Sequence, residues 1–232
     1  MIWQEITTNE AANAFLFQGK AVFNREFIHV LSFHAPGIAP VCDNRGWFHI
    51  NINGEDLYPE RYVRTFGFYY DRAAVAIPEG CFHIDSNGKP VYGEIFAWCG
   101  NYQQKLCAVR NHKGYYYHID IYGQRIYNEN YLYAGDFYDG IACVKTTDAW
   151  KHIRLDGSDL NGQLYLDLGV FHKGFAPVRD SMGWFHVDKS GKQIYNARYN
   201  AVEPFYNGFS LVTKADYTKV LINEQGEEIK VI

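Results

Sequence analysis

Five histidines recur along the chain, His49, His83, His118, His152 and His186, at intervals of 34, 35, 34 and 34 residues. Imidazole ligates metals and titrates near neutral pH, so such a series invites two readings. In one, at least three of the rings meet at a point and hold a metal ion, about 2.0–2.1 Å away for zinc. An Asp two residues on, as in His83-Ile84-Asp85, would add an oxygen ligand on the same strand face. In the other, each imidazole fixes a turn or a cross-strand hydrogen bond within its own copy of a repeated unit. Even spacing favours the second: a catalytic metal needs three protein ligands, whereas five like histidines match five like environments.

Other chemistry is sparse. The sequence has no GxSxG, Walker or HExxH signature and no motif for a cofactor. Cys99 stands outside the shared pattern, but nothing adjacent in sequence would lower its pKa. Residues that break a repeat are better binding candidates than residues that compose it. Three stretches do so: Trp98 within Ala97–Asn101, Tyr115 and Tyr116 within Tyr115–Tyr117, and Trp150 and Arg154 within Trp150–Arg154. Exposed Trp, Tyr and Arg are typical anchors at interfaces.

The elements that must position these residues follow from the repeat. Each histidine opens a His-Ile-x-x-x-Gly word or a near variant, and a sixth copy reads Leu221-Ile222-Asn223-Glu224-Gln225-Gly226. The glycines are Gly54, Gly88, Gly123, Gly157, Gly191 and Gly226, and the residue three before each is Asn or Asp except Arg154. Asp or Asn at the first position of a turn and Gly at the fourth is the type I pattern. Aromatic residues follow eight and fourteen residues after the turn glycines, and an Ala-x-Val or similar pair precedes each histidine strand. Apolar spacing of two within short runs bounded by Gly, Asp and Asn predicts strands.

Each unit of 34–35 residues is therefore expected to hold strand a (Ala-x-Val), strand b (Trp-Phe-His-Ile-Asp), a tight turn, strand c (Lys-x-Ile-Tyr) and a short aromatic strand d. The one stretch with helical character is Asn9–Leu16. Residues Gly19–Phe33 line up with Gly191–Phe205, so the chain begins and ends partway through a unit. The expected fold is all-β, a propeller-like ring of about six short blades whose last blade is closed by the N- and C-termini. An open β-solenoid is the alternative. The expected layout is an extension over 1–14 and one repeat domain over 15–232, with units near 15–36, 37–70, 71–104, 105–139, 140–173, 174–207 and 208–232.

Composition limits the partners. The 232 residues include 19 Tyr, 16 Phe and 5 Trp, a bias that suits pleated surfaces. A net charge of −4 offers no basic excess for phosphates, so nucleic acid is not expected as a partner. No apolar run approaches the ~18 residues of a membrane-spanning helix, and the first ten residues lack the marks of a signal peptide. Cys42, Cys81, Cys99, Cys107 and Cys143 are odd in number and include no CxxC pair. Free thiols and a cytoplasmic location are the expectation.

The unit resembles the WG-repeat family of bacterial proteins, whose consensus runs roughly G-x-A-x-V, a tryptophan-led strand, then I-D-x-x-G-K. The residues that carry the resemblance are Gly174–Val178, Trp184-Phe185-His186-Val187-Asp188 and Gly191-Lys192. Tryptophan keeps its place at Trp47, Trp150 and Trp184, while Cys81 and Tyr116 stand there in two other units. The family's glycine is replaced by Phe48, Phe82, Tyr117, Lys151 or Phe185, and its tyrosine position holds histidine. The resemblance implies a divergent member and a scaffold for interactions. The expected function is a non-enzymatic module that binds a protein, peptide or glycan. Two alternatives are a metal-dependent enzyme built on the repeated histidines and an accessory domain that docks substrate for a larger modifying enzyme.

Overall fold

A computed structural model describes residues 2–232. The fold is all-β and propeller-like, a succession of seven small antiparallel sheets. Among the described residues the one helical element is a single 3₁₀ turn, Trp3–Glu5. The chain divides into two compact parts, one of residues 2–114 with 119–125, the other of residues 115–118 with 126–232.

In the first part, Ile6–Thr8, Phe15–Phe17 and Lys20–Val22 form one sheet. The next two are His29–Val30, Ile38–Asp43 and Gly46–Asn51, then Arg64–Thr65, Ala73–Ile77 and Gly80–Ile84. Trp98–Cys99 and Leu106–Arg110 begin a fourth, and the chain leaves it through Tyr116–Asp120. Its core includes Phe15, Val41, Phe48, Ile50, Phe68, Val75 and Ile84. In the second part, Tyr133–Ala134, Ile141–Lys145 and Trp150–Arg154 form one sheet, and Asp167–Leu168, Phe175–Asp180 and Gly183–Asp188 another. The last has four strands, Ala201–Val202, Phe209–Thr213, Lys219–Asn223 and Glu228–Val231. Its core is built on Phe171, Val178, Val187, Phe205, Val212 and Ile222.

Strands a and b form as the period-two pattern requires, and d is a two-residue strand that pairs with the a strand of the following unit. Strand c is a correction. Inside the chain its residues make only isolated bridges, such as Ile84 with Pro90 and Val187 with Gln193. The Tyr at its end has to turn out of the ladder to reach the histidine, as shown below. Asn9–Leu16 is also not helical. The Asn9 side chain accepts hydrogen bonds from the Asn13 and Ala14 amides, closing a turn that leads into strand Phe15–Phe17. Residues 6–8, inside the expected extension, pair with 15–17. The blade expected from both termini is replaced by two separate sheets. Lys20–Val22 pairs with its neighbour Phe15–Phe17, and Lys219–Asn223 takes Glu228–Val231 from its own end.

The turns follow the sequence pattern. Asp85 Oδ1 accepts from the Asn87 and Lys89 amides, and the Gly88 amide donates to the Asp85 carbonyl. Asn51, Asp120, Asp188 and Asn223 repeat the arrangement. The turn glycines Gly88, Gly123 and Gly191 have φ of +77°, +81° and +80°. Space matters as much as φ. A Cβ on Gly123 would lie 2.2 Å from the ring of Tyr92, whereas one on Gly174, at φ +93°, would meet nothing within 4 Å. Gly174→Ala is therefore expected to destabilise by about 1 kcal/mol and Gly123→Ala by about 3 kcal/mol, as read by urea unfolding. Equal losses would show that the tyrosine does not press on the turn.

Candidate functional site

The five repeat histidines are fully or almost fully buried. Each Nε2 lies 2.7–3.0 Å from the backbone carbonyl seventeen residues on, that of Phe66, Gly100, Gly135, Gly169 or Glu203. A carbonyl only accepts, so Nε2 carries the proton and Nδ1 is left as an acceptor. In four units a tyrosine nine residues on supplies the donor: Tyr58, Tyr92, Tyr127 and Tyr195 donate their hydroxyls to His49, His83, His118 and His186. An aromatic ring nineteen residues on packs against each imidazole, with centroids 4.5–4.9 Å apart. The partners are thus the Tyr hydroxyl and a distant carbonyl, not the nearby Asp or turn backbone.

The same tyrosine reaches onward. Tyr58, Tyr92, Tyr127 and Tyr195 lie against Gly88, Gly123, Gly157 and Gly226, the turn glycines of the next units. One residue therefore bonds its own histidine and covers its neighbour's turn, and this links consecutive units. Burial pushes the five imidazoles down to about 4 from an ordinary 6.5, outweighing the carbonyl bond, which favours the charged form. A pKa lowered on folding means that the unfolded chain binds more protons between those values. The stability these groups contribute is complete above about pH 6.5 and is lost as pH falls toward 4. At pH 5 the loss approaches about 2 kcal/mol for each histidine. Among the described residues, no three His, Cys, Asp or Glu side chains gather as a metal-ligand set.

The unit of His152 departs from the others. Asn161 stands where the tyrosine should be and donates to the Gly191 carbonyl and the Tyr165 hydroxyl. His152, 2% exposed, keeps its carbonyl bond, but its Nδ1 has no hydrogen-bond partner among the described residues. Arg154 replaces the turn Asp and donates to the Leu160 carbonyl, while Asp156 holds the turn through the Ser158 amide.

A second regularity runs across the sheets. Along His29, Trp47, Arg64, Cys81 and Trp98 the steps are 18, 17, 17 and 17 residues. These positions alternate between a two-residue strand and the start of strand b. His29 stacks on Trp47 with planes 7° apart and centroids 6.2 Å apart. The Arg64 guanidinium lies 3.9 Å from the Trp47 ring centre. In the second part, Tyr133 packs between Tyr116 and Trp150 at 5.7 and 5.6 Å. The row of flat groups fails at Cys81, and its cross-strand partner Ala76 is also small. A cleft of about 440 Å³ opens there, lined by Arg64, Phe66, Ala76, Cys81, Trp98 and Cys99 among others.

Trp98 is 42% exposed on this cleft, and Phe66 is exposed beside it. The Arg64 side chain makes no hydrogen bond or ion pair to a described residue and lies over the Trp47 ring, with Phe66 farther off. Burial raises the Cys99 thiol far above its ordinary range, and a hydrogen bond with Cys81 adds to this, so Cys99 is neutral. All five cysteines are free and buried.

Of the residues singled out from sequence, Trp98 lines the cleft. Tyr116 and Trp150 are packed into the ring row through Tyr133, and Tyr115 is exposed at the turn before its strand. Arg154 lines a separate cleft with Asp139 and Lys189. Arg64, Phe66 and Cys81 were not singled out. The available signal was a small residue in a tryptophan column.

Residues 184–217 match the family model described as WG containing repeat. One WG repeat is thereby identified, at residues 184–217. That match bears out the resemblance read from its motifs. At the place of the family's glycine, Phe48 and Phe185 lie beneath the guanidinium groups of Arg61 and Arg198, 3.5 and 3.6 Å from the ring centres. Those arginines pair with Asp43 and Asp180. Burial pushes the Asp43 carboxyl up, but hydrogen bonds from Arg45 and Arg61 outweigh it and hold the pKa at about 2. No curated protein sequence matches the chain.

Among solved structures, this chain is similar to the computationally designed Ika8 protein, with 11% identity and TM-score 0.48. That alignment covers 98% of this chain and 83% of the other. It is similar to BamB from Moraxella catarrhalis, with 16% identity and TM-score 0.46, covering 93% and 78%. It also resembles the C-terminal WD40 domain of Sif2, with 10% identity and TM-score 0.44, covering 90% and 70%. No functional residue is carried over from them.

The degenerate unit yields a test. Asn161→Tyr is expected to place a hydroxyl on His152 Nδ1 and a ring on Gly191, stabilising the protein by about 1 kcal/mol in urea unfolding. A neutral or destabilising result would show that the tyrosines of the other units do not hold their histidines.

Proposed function

We propose that this WG-repeat chain is a protein-interaction module that holds a segment of a partner polypeptide in the cleft beside Trp98. The observation that carries this is the coincidence of the cleft with the break in the ring row at Cys81. A scaffold of like units has like surfaces, so a concavity at a place where the repeated row breaks is where selectivity can reside. The lining suits the role. An exposed Trp, an exposed Phe and an Arg held flat against Trp47 are the residue types that dominate binding energy at interfaces. The cleft is mostly apolar with few polar groups, as ligand sites usually are.

The repeat histidines lend no support to a metal-dependent enzyme. In four units both ring nitrogens are engaged in hydrogen bonds within the protein. Among the described residues, no helix is long and apolar enough to cross a membrane.

Immobilised protein, Trp98→Ala and the exposed control Tyr122→Ala should be compared for capture of partner proteins from the source cell. Partners retained by wild type and Tyr122→Ala but lost from Trp98→Ala, with all three equally folded by circular dichroism, are the expected result. Undiminished capture by Trp98→Ala would overturn the assignment of the cleft.

A further inference from the structure

The internal repeat supplies a template for what enters the cleft. In the first unit of the row, an indole occupies the position after the glycine that begins strand b: Trp47 follows Gly46. It is sandwiched between the stacked ring of His29 and the guanidinium of Arg64. One unit later the corresponding residue is Cys81, following Gly80, and its flanking groups are Arg64 and Trp98. Both flanking groups are flat, and both line the space that the missing ring leaves.

The space is genuine because the middle strand does not fill it. At the matching place on the middle strand, two other sheets carry a long side chain, Lys145 opposite Trp150 and Arg179 opposite Trp184, while the sheet of Trp47 carries the small Cys42 and fills the place with the indole itself. Here it is Ala76, paired with Cys81 on one side and Arg64 on the other. Two small residues side by side leave a gap in the row, on the cleft that Arg64 and Trp98 line.

The chemistry of the walls selects the ligand. The Arg64 guanidinium carbon lies 3.9 Å from the Trp47 ring centre and 5.9 Å from that of Phe66, and the cation has no acidic partner among the described residues. A π-face presented to it gains a cation–π attraction, largest for tryptophan and then tyrosine, while an aliphatic side chain gains only burial. On the far wall Trp98 offers an aromatic partner, for which offset or edge-to-face contact adds to the area buried.

Resting on the cleft assignment above, we infer that the slot at Cys81 takes an aromatic side chain, tryptophan or tyrosine, from a partner polypeptide. The guest ring completes the row from outside, standing between Arg64 and Trp98 where Trp47 stands between His29 and Arg64.

The probes are the blocked tripeptides Ac-Ser-Trp-Ser-NH₂, Ac-Ser-Tyr-Ser-NH₂ and Ac-Ser-Leu-Ser-NH₂, titrated into ¹⁵N-labelled full-length protein and followed by amide shifts. The Trp and Tyr peptides are expected to shift the amides around residues 64–66, 80–82 and 98–100 saturably, at least tenfold more tightly than the Leu peptide. Cys81→Trp fills the slot with the protein's own ring. It is expected to keep or raise the thermal midpoint and to abolish the shifts. Trp98→Ala, which removes one wall of the slot, is expected to weaken binding at least tenfold and serves if Cys81→Trp does not fold. Equal binding of the Leu peptide, undiminished binding by folded Cys81→Trp or by Trp98→Ala, or no saturable shift with either aromatic peptide would overturn the inference. Partner capture that depends on Trp98 while the aromatic peptides fail would leave the cleft assignment standing and remove only the aromatic guest.

Discussion

A neutral imidazole with both nitrogens satisfied in the dry interior is the interaction on which the rest of this structure depends. Burying a polar ring without partners would cost a few kcal/mol, so its two bonds fix what surrounds it. The Nε2 bond fixes the carbonyl seventeen residues on, just after the two-residue strand at the end of the same unit. The Nδ1 bond fixes the tyrosine nine residues on, and that tyrosine cannot remain in a β-ladder while its hydroxyl points back at His83 or His118. Strand c is sacrificed to this contact. Once folded back, the Tyr ring lies on the next turn, where only a glycine at positive φ leaves room. Histidine, tyrosine and glycine therefore recur together as parts of one joint repeated along the chain.

The joint also explains how the chain tolerates variation. Where Asn161 replaces the tyrosine, the His152 Nδ1 is orphaned, yet Asn161 still binds the Gly191 carbonyl. The contact between units survives while the bond within the unit is lost. Phe48 and Phe185 show compensation of another kind. A ring in place of the family's glycine is covered by an arginine, itself held by an aspartate. At Cys81 no described residue fills the missing volume, and there the surface opens.

The sequence made the regular features legible because each repeats five or six times. The turn glycines, the Asp and Asn that hold their amides, the a and b strands and the buried histidines all stand where periodicity placed them. What it left hidden depends on pairs far apart in sequence. The carbonyl partner of each histidine is backbone, and no residue type marks it. Strand c has the right pattern for a strand, and only the reach of Tyr92 to His83 reveals why it is not one. The self-similarity of Gly19–Phe33 suggested a blade shared by the termini. It could not show that Ile6–Thr8 and Glu228–Val231 complete separate sheets. Trp150 and Tyr116 drew attention as exceptions, but they are ring-for-ring replacements that pack on Tyr133. The informative exception changed size: Cys81 in a column of rings.

The central claim is that the repeat histidines are neutral structural groups protonated on Nε2. Two-bond ¹H–¹⁵N correlation of the imidazoles, followed from pH 8 to pH 5 in the folded protein, tests it directly. The account predicts that His49, His83, His118, His152 and His186 show the neutral Nε2–H pattern throughout, with His152 Nδ1 shifted from the other four because it lacks a tyrosine donor. Imidazolium formation at any of the five near pH 6.5, or an Nδ1–H tautomer among them, would contradict it.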